Sequence, residues 1–225
     1  MEKYKYKAFI VIEGGDGSGK SSHAQRLVQW FQDMGHKAVY IHFPDYDEST
    51  GKVIKEMLDG KYGTNPDDVN MYAASMMYAV DRWSSIHSHY KEYFFNDYII
   101  VADRYVASNL IHQGAKLINN NNTLLTMSSI LNEYCDWLEN IEYNMIKIPE
   151  PDMTIYLSLP PELSLERLEK TGKHLDIHEK LDFIERSYYA GKYYADYLDW
   201  SVIECGTKSI NEIQEKVRDF AIGAI

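Results

Sequence analysis

The chain has 225 residues, 45% of them hydrophobic, and a formal net charge of −11. That length suits one domain with a full core, and that acidity excludes non-specific binding to nucleic acid or to an anionic membrane surface. No apolar run reaches membrane-spanning length, the opening MEKYKYKAF lacks a leader-type apolar segment, and Cys135 and Cys205 lack metal-ligand spacing, which together point to a reducing, cytoplasmic setting.

Residues 9–13, apolar up to Glu13 and rich in β-branched side chains, predict a buried strand. Gly14, Gly15, Asp16, Gly17, Ser18, Gly19, Lys20 and Ser21 follow in the spacing G-x-x-x-x-G-K-[ST], with Ser22 after them. Ala24, Leu27, Val28 and Phe31 then recur at helical period. Strand, glycine-rich loop and helix in this order form a P-loop, a cradle for a nucleoside triphosphate such as ATP. Glycines let backbone N–H groups curl around a polyphosphate, and the helix N-terminus adds its positive dipole end. Lys20 supplies a mobile cation for the outer phosphates, and the Ser21 hydroxyl can hold Mg²⁺.

Residues 37–42 read as a second strand after Gly35, a helix stop, and residues 50–58 as a short helix. Pro66 is expected to open a long helix. Its stripe of Val69, Tyr72, Ala73, Met76, Met77, Val80, Trp83 and His87 reads as core and as a subunit contact. His87 and His89, two apart on a helix, face different ways. Residues 98–102 are a continuous apolar run, as in a parallel strand covered on both faces. Residues 119–122 form a turn, 123–140 a helix, 153–159 a fourth strand and 161–170 another helix. Residues 171–178 are polar and read as a mobile loop carrying His174 and His178 as surface groups. A tyrosine-rich helix over 179–198, a fifth strand over 200–204 and a terminal helix over 210–222 complete the chain. Five strands alternating with helices predict an α/β fold: a five-stranded parallel sheet flanked by helices in three layers, with ligands at the carboxyl ends of the strands. Residues 1–225 are expected to form one domain, with a short lid over about 170–179.

Asp103 ends the third strand. A carboxylate there can hold Mg²⁺ or orient an attacking phosphate, and it can equally cap a helix. Arg104 beside it has the planar fork that grips a phosphate dianion, or that serves a surface salt bridge.

With these residues in hand, the chain resembles thymidylate kinase, a P-loop nucleoside-monophosphate kinase family. The segments that carry the likeness are EGGDGSGKSS, HFPDY, YAVDR, DRYVASNLIHQG and PDMTIYLSLPPELSLER, spread over nearly the whole length. The resemblance implies transfer of the γ-phosphoryl of MgATP to dTMP, giving dTDP and ADP for dTTP synthesis, in a homodimer. It implies that Asp16 bonds the deoxyribose 3′-hydroxyl, Tyr78 stacks on thymine, Arg82 donates to a thymine carbonyl and Asn109 reads the ring imide. Phe43 and Tyr46 would surround the acceptor phosphate, Arg104 would grip it and Asp103 would support it and the metal. His112 and Gln113 would complete the dTMP site, and Arg167 would lie near the adenine. Without the family, Asp81 and Arg82 read as a solvated pair.

Four positions depart from the family pattern. Gly17 stands where some members carry an arginine aimed at the transferred phosphoryl, and residues 171–178 hold no arginine to replace it. Lys173 is the nearest catalytic candidate, with Lys170 behind it. Asp45 stands where a basic or small residue is common, His112 where a tyrosine is common beside the sugar, and Ser158 where an aspartate is common. Two other readings stay open: a kinase of the same fold acting on another nucleoside or monophosphate, and a nucleotide-binding module without catalysis.

Overall fold

A computed structural model describes residues 3–118, 124–170 and 180–225. Its centre is β1 (Ala8–Gly14), buried at all seven residues. Around it lie β2 (Ala38–His42), β3 (Ile99–Asp103), β4 (Met153–Ser158) and β5 (Ser201–Glu204). The strand order is β2-β3-β1-β4-β5, and every neighbouring pair is parallel. Successive side chains alternate across the sheet. Phe9 and Val11 join one core with Ile100, Ala102, Leu131 and Tyr194, while Ile10 and Ile12 join another with Leu27, Phe31, Val101 and Val217. Each fully buried Leu, Ile or Phe contributes roughly 1.5–3 kcal/mol relative to exposure.

The helices are α1 (Lys20–Asp33), α2 (Ser49–Leu58), α3 (Met71–Ser88), α4 (Lys91–Phe95), α5 (Val106–His112), α6 (Leu124–Glu139), α7 (Pro161–Lys170), α8 (Leu181–Tyr197) and α9 (Ile210–Ile222). The second core packs α1 and α9 on one face of the sheet. The first draws on α5, α6 and α8 on the other. The register pairs Ile12 with Asp103 and Gly14 with Leu157, so the P-loop and the Asp103–Arg104 dyad emerge from the same sheet edge. Among the described residues no helix is long and apolar enough to cross a membrane.

Four expectations are corrected. Pro66 opens only a short 3₁₀ turn (Pro66–Asp68), after which Val69 is extended. The long helix starts at Met71 and is capped by Asn70, whose side chain accepts the Tyr72 and Ala73 N–H groups at 2.9 and 3.1 Å. The stripe on α3 is not core along its length: Tyr72, Met76, Val80 and Trp83 are exposed, and the buried face carries Ser75, Asp81, Arg82 and Ser85. The Asp81–Arg82 pair is therefore buried, not solvated. The helix over 123–140 continues as a π-helical turn, Asn140–Met145, that sequence periodicity did not announce. The expected turn over 119–122 and the expected lid with Lys173, His174 and His178 lie outside the described residues.

Candidate active site

The P-loop geometry follows from its glycines. Gly14 lies beside β4, where a Cβ would come within 2.6 Å of the Leu157 carbonyl oxygen. Gly17 has φ +75°, and a Cβ there would meet the Ser164 carbonyl oxygen at 3.2 Å. Any side chain at this position would thus be strained against α7. Two bonds hold α7 against the loop: Ser164 Oγ donates to the Asp16 carbonyl at 2.6 Å, and Arg167 Nη1 donates to the Gly17 carbonyl at 3.0 Å. Ser18 is buried, and Ser21 and Ser22 are exposed on the first turn of α1. Lys20 folds back over the loop, its Nζ 2.8 Å from the Gly15 carbonyl and 3.7 Å from Asp16. Burial, and then Arg104 nearby, pull the Lys20 ammonium below its ordinary range.

At the end of β3, Asp103 Oδ2 accepts hydrogen bonds from the Ser21 and Tyr40 hydroxyls, the latter at 3.1 Å. Asp103 Oδ1 is buried with no hydrogen-bond partner among the described residues. A hydroxyl joined to a carboxylate that keeps one unused oxygen is an oxygen donor set that suits Mg²⁺. Among the described residues no group of three or more His, Cys, Asp or Glu side chains is arranged to hold a metal. Any such ion would therefore take further ligands from water or phosphate.

Beside this edge opens a cleft of about 160 Å³. Asp16, Arg104 and His112 line its P-loop side, and Phe43, Tyr46, Tyr78, Arg82, Asn109 and Gln113 also line it. These nine residues, given to the dTMP site by the resemblance, border one cavity, whereas Asp103, expected to support the acceptor phosphate, is not among its lining residues. Arg104 holds a left-handed backbone, φ 69°. Its Nη2 is ion-paired with Asp16 Oδ1, and its Nη1 donates to His112 Nε2 at 3.0 Å. Burial opposes the Arg104 charge, but Asp16 and Glu13 outweigh it and hold the guanidinium above its usual value. Asn109 Nδ2 donates to the Ser75 carbonyl at 3.3 Å. The Gln113 amide is fully buried, and neither its oxygen nor its nitrogen has a partner among the described residues.

Arg82 is also committed. Its Nε donates to Glu142 Oε2 at 3.2 Å, its Nη2 is paired with Glu142 Oε1, and its Nη1 lies 3.4 Å from the Tyr105 carbonyl. Sequence reasoning did not single out Glu142. It also missed Glu13, which is fully buried and accepts the Tyr105 N–H at 2.7 Å and the Ser108 hydroxyl at 2.9 and 3.0 Å. The Glu in front of the glycine loop was the one available signal. Asp81 holds the loop after β2 by accepting from Asp45 N at 3.1 Å and Thr50 Oγ1 at 2.9 Å. That loop contains a cis Phe43–Pro44 bond.

The departures at 45 and 158 are absorbed locally. Asp45 does not line the cleft; its carboxylate lies 3.1 Å from His89 Nδ1 and accepts the Asp47 N–H at 3.2 Å. Ser158 Oγ donates to Glu204 at 2.7 Å. Burial raises the Cys135 thiol to about 12 and the Cys205 thiol to about 11, so both stay protonated near neutral pH.

Comparison with known proteins shows the family. A family model described as thymidylate kinase matches residues 12–217. The thymidylate kinase of Caldicellulosiruptor saccharolyticus is 28% identical over 212 residues, 93% of each chain. That of Mycobacterium tuberculosis is 30% identical over 160 residues, 70% of this chain and 69% of the other. A solved thymidylate kinase from Candida albicans, 23% identical, shares the fold with a TM-score of 0.71, over 99% of this chain and 93% of its own. The match over 12–217 spans both the P-loop and the cleft, and the chain belongs to the thymidylate kinase family.

Proposed function

We propose that this chain transfers the γ-phosphoryl group of ATP to dTMP. An oxygen of the dTMP phosphate attacks the γ-phosphorus, the bond from that phosphorus to the β–γ bridging oxygen breaks, and ADP leaves. The acceptor is already an anion, so no strong general base is needed. Catalysis is positioning together with charge neutralisation. The observation that carries this reading is the junction of two compartments at Asp16, which lies in the phosphate cradle, lines the cleft and pairs with Arg104.

The P-loop amides from Gly14 to Ser22 and Lys20 hold the ATP phosphates, with Arg167 near the adenine. Arg104 grips the acceptor phosphate between Phe43 and Tyr46, and Asp16 meets the sugar near His112. Tyr78 stacks on the base, while Asn109 and Gln113 offer amides, which can donate and accept at once, as the thymine imide requires. Ser21 and Asp103 would hold Mg²⁺, which would supply neutralisation of the phosphate charge. Lys173 is the proposed transfer cation from the lid.

The exposed α3 face of Tyr72, Met76, Val80 and Trp83 supports a homodimer. Two buried, unlinked thiols support a cytoplasmic setting.

The test is a panel of acceptors, dTMP, dUMP, dCMP, UMP and thymidine, incubated with purified chain and MgATP while ADP release is followed. dTMP should be used at least about 10-fold more efficiently than dCMP, as expected where a site hydrogen-bonds its substrate. Preference for another acceptor, or ATP binding without turnover, would replace the reading.

A further inference from the structure

We propose that Glu142 is a positioning residue of the acceptor pocket. By pairing with Arg82 it fixes the guanidinium plane and cancels its charge, so that this part of the cleft takes a neutral pyrimidine carbonyl instead of a second anion. This rests on the reading of the cleft as the dTMP site.

The geometry comes first. Arg82 lines the cleft, whereas Glu142 does not and approaches it from outside that lining. Arg82 is 2% exposed and Glu142 is fully buried. Of the five guanidinium N–H groups, Nε–H and one on Nη2 go to the two Glu142 oxygens, and one on Nη1 faces the Tyr105 carbonyl. Two N–H groups remain, one on each terminal nitrogen. The fork holds the guanidinium plane, so these two cannot swing with a flexible side chain.

Charge comes second. Burial opposes the Arg82 charge, but Glu142 outweighs it and keeps the guanidinium protonated. The pair as a whole is neutral. The cleft's other cation, Arg104, lies on the P-loop side beside Asp16 and His112. A free arginine at position 82 would offer a second place for a phosphate, and dTMP could enter reversed. Glu142 removes that competitor while leaving hydrogen-bond donors for a carbonyl oxygen. A buried ion pair is a poor device for stability alone, since apolar side chains of equal volume do as well. Its place beside the cleft supplies another reason for it. Glu142 lies in the π-helical turn Asn140–Met145, outside the regular period of α6. Local departures of this kind occur often at functional sites.

The test compares Glu142→Gln and Glu142→Asp with the wild type in full-length protein. Glu142→Gln keeps the volume and one acceptor oxygen but removes the charge. Its KM for dTMP should rise by about 10-fold, with kcat and the KM for ATP changing less than about 3-fold. Inorganic phosphate should then compete with dTMP at concentrations about 10-fold lower than in the wild type. Glu142→Asp keeps the charge but is one methylene short. It should raise the dTMP KM without the new sensitivity to phosphate, and this split is one a merely structural role would not produce. An unchanged dTMP KM in Glu142→Gln, equal loss toward ATP and dTMP, or unchanged phosphate inhibition would each overturn the proposal. If Glu142→Gln does not fold, phosphate inhibition of Glu142→Asp decides alone: a rise overturns the proposal and no rise supports it. Wild-type turnover of dTMP is the control that separates this failure from failure of the proposed function.

Discussion

Arg104 meets Asp16 in an ion pair between a P-loop carboxylate and the first residue after β3. The same carboxylate is 3.7 Å from Lys20, so one acidic group faces both cations of the reacting centre. Without substrates, Asp16 keeps two positive charges from repelling each other across the mouth of the sheet. Asp16→Asn removes that restraint. Its kcat/KM for dTMP should fall by about 10- to 100-fold, and the ATP KM much less. Steady-state kinetics with each substrate varied in turn will check this, and equal effects on both substrates would count against the shared role.

Lys20→Ala addresses the cradle. Lys20 is 7% exposed, and its main fixed partner is the Gly15 carbonyl. The variant should fold, with a far-ultraviolet spectrum like that of the wild type, while turnover drops by about 10³-fold or more. Near-normal ADP release would remove Lys20 from the catalytic set.

Glu13→Gln separates stability from function. Burial raises the Glu13 carboxyl above its ordinary 4.5. The folded state then holds this proton more tightly than the unfolded chain. The stabilising share is therefore complete below pH 4.5 and is lost as pH climbs through the raised value. Gln cannot ionise, so the melting temperature of Glu13→Gln should gain on the wild type as pH rises above 4.5. Activity should move the other way, because Arg104 and Lys20 lose a facing negative charge. Melting curves between about pH 5 and pH 8 will show whether the gap widens. A gap of constant size would refute the buried-carboxylate account.

Gly17→Ala tests the backbone. A side chain at φ +75° costs about 1–2 kcal/mol, and the Ser164 carbonyl at 3.2 Å leaves little room. The melting temperature should fall by about 4 °C, read by calorimetry. No shift would mean that the loop and α7 yield more easily than their two hydrogen bonds suggest.

The parts of this molecule legible in its sequence are those encoded over short distances. The P-loop, the Asp103–Arg104 dyad, the five strands and the longer helices follow from contiguous patterns, whereas the short α4 and α5 were not read from the sequence; α9 spans residues 210–222 as expected, with a capping box at Ser209 and Glu212. Helical period correctly put Tyr72, Met76, Val80 and Trp83 on one face of α3, but period cannot say which face turns inward. The buried side of α3 carries Asp81 and Arg82, and each owes its burial to a partner elsewhere: the Asp45 amide, 36 residues away, and Glu142, 60 residues away. Such pairings leave no local trace. Glu13 was half visible: the carboxylate precedes the glycine loop, but its partners Tyr105 and Ser108 come from α5 and the turn before it. Lys173, proposed as the transfer cation, lies outside the described residues.

The position of β1 in the sheet governs how the protein is born. Its two neighbours are β3, which begins at Ile99, and β4, which begins at Met153, while α7 supplies the bonds that hold the loop. The ribosome therefore releases the nucleotide cradle's own strand first and its last support some 150 residues later. No amino-terminal fragment ending before Arg167 contains a complete cradle. A nascent chain stalled there would expose an apolar strand edge, so both ATP capture and protection from aggregation arrive only after Arg167 has been made.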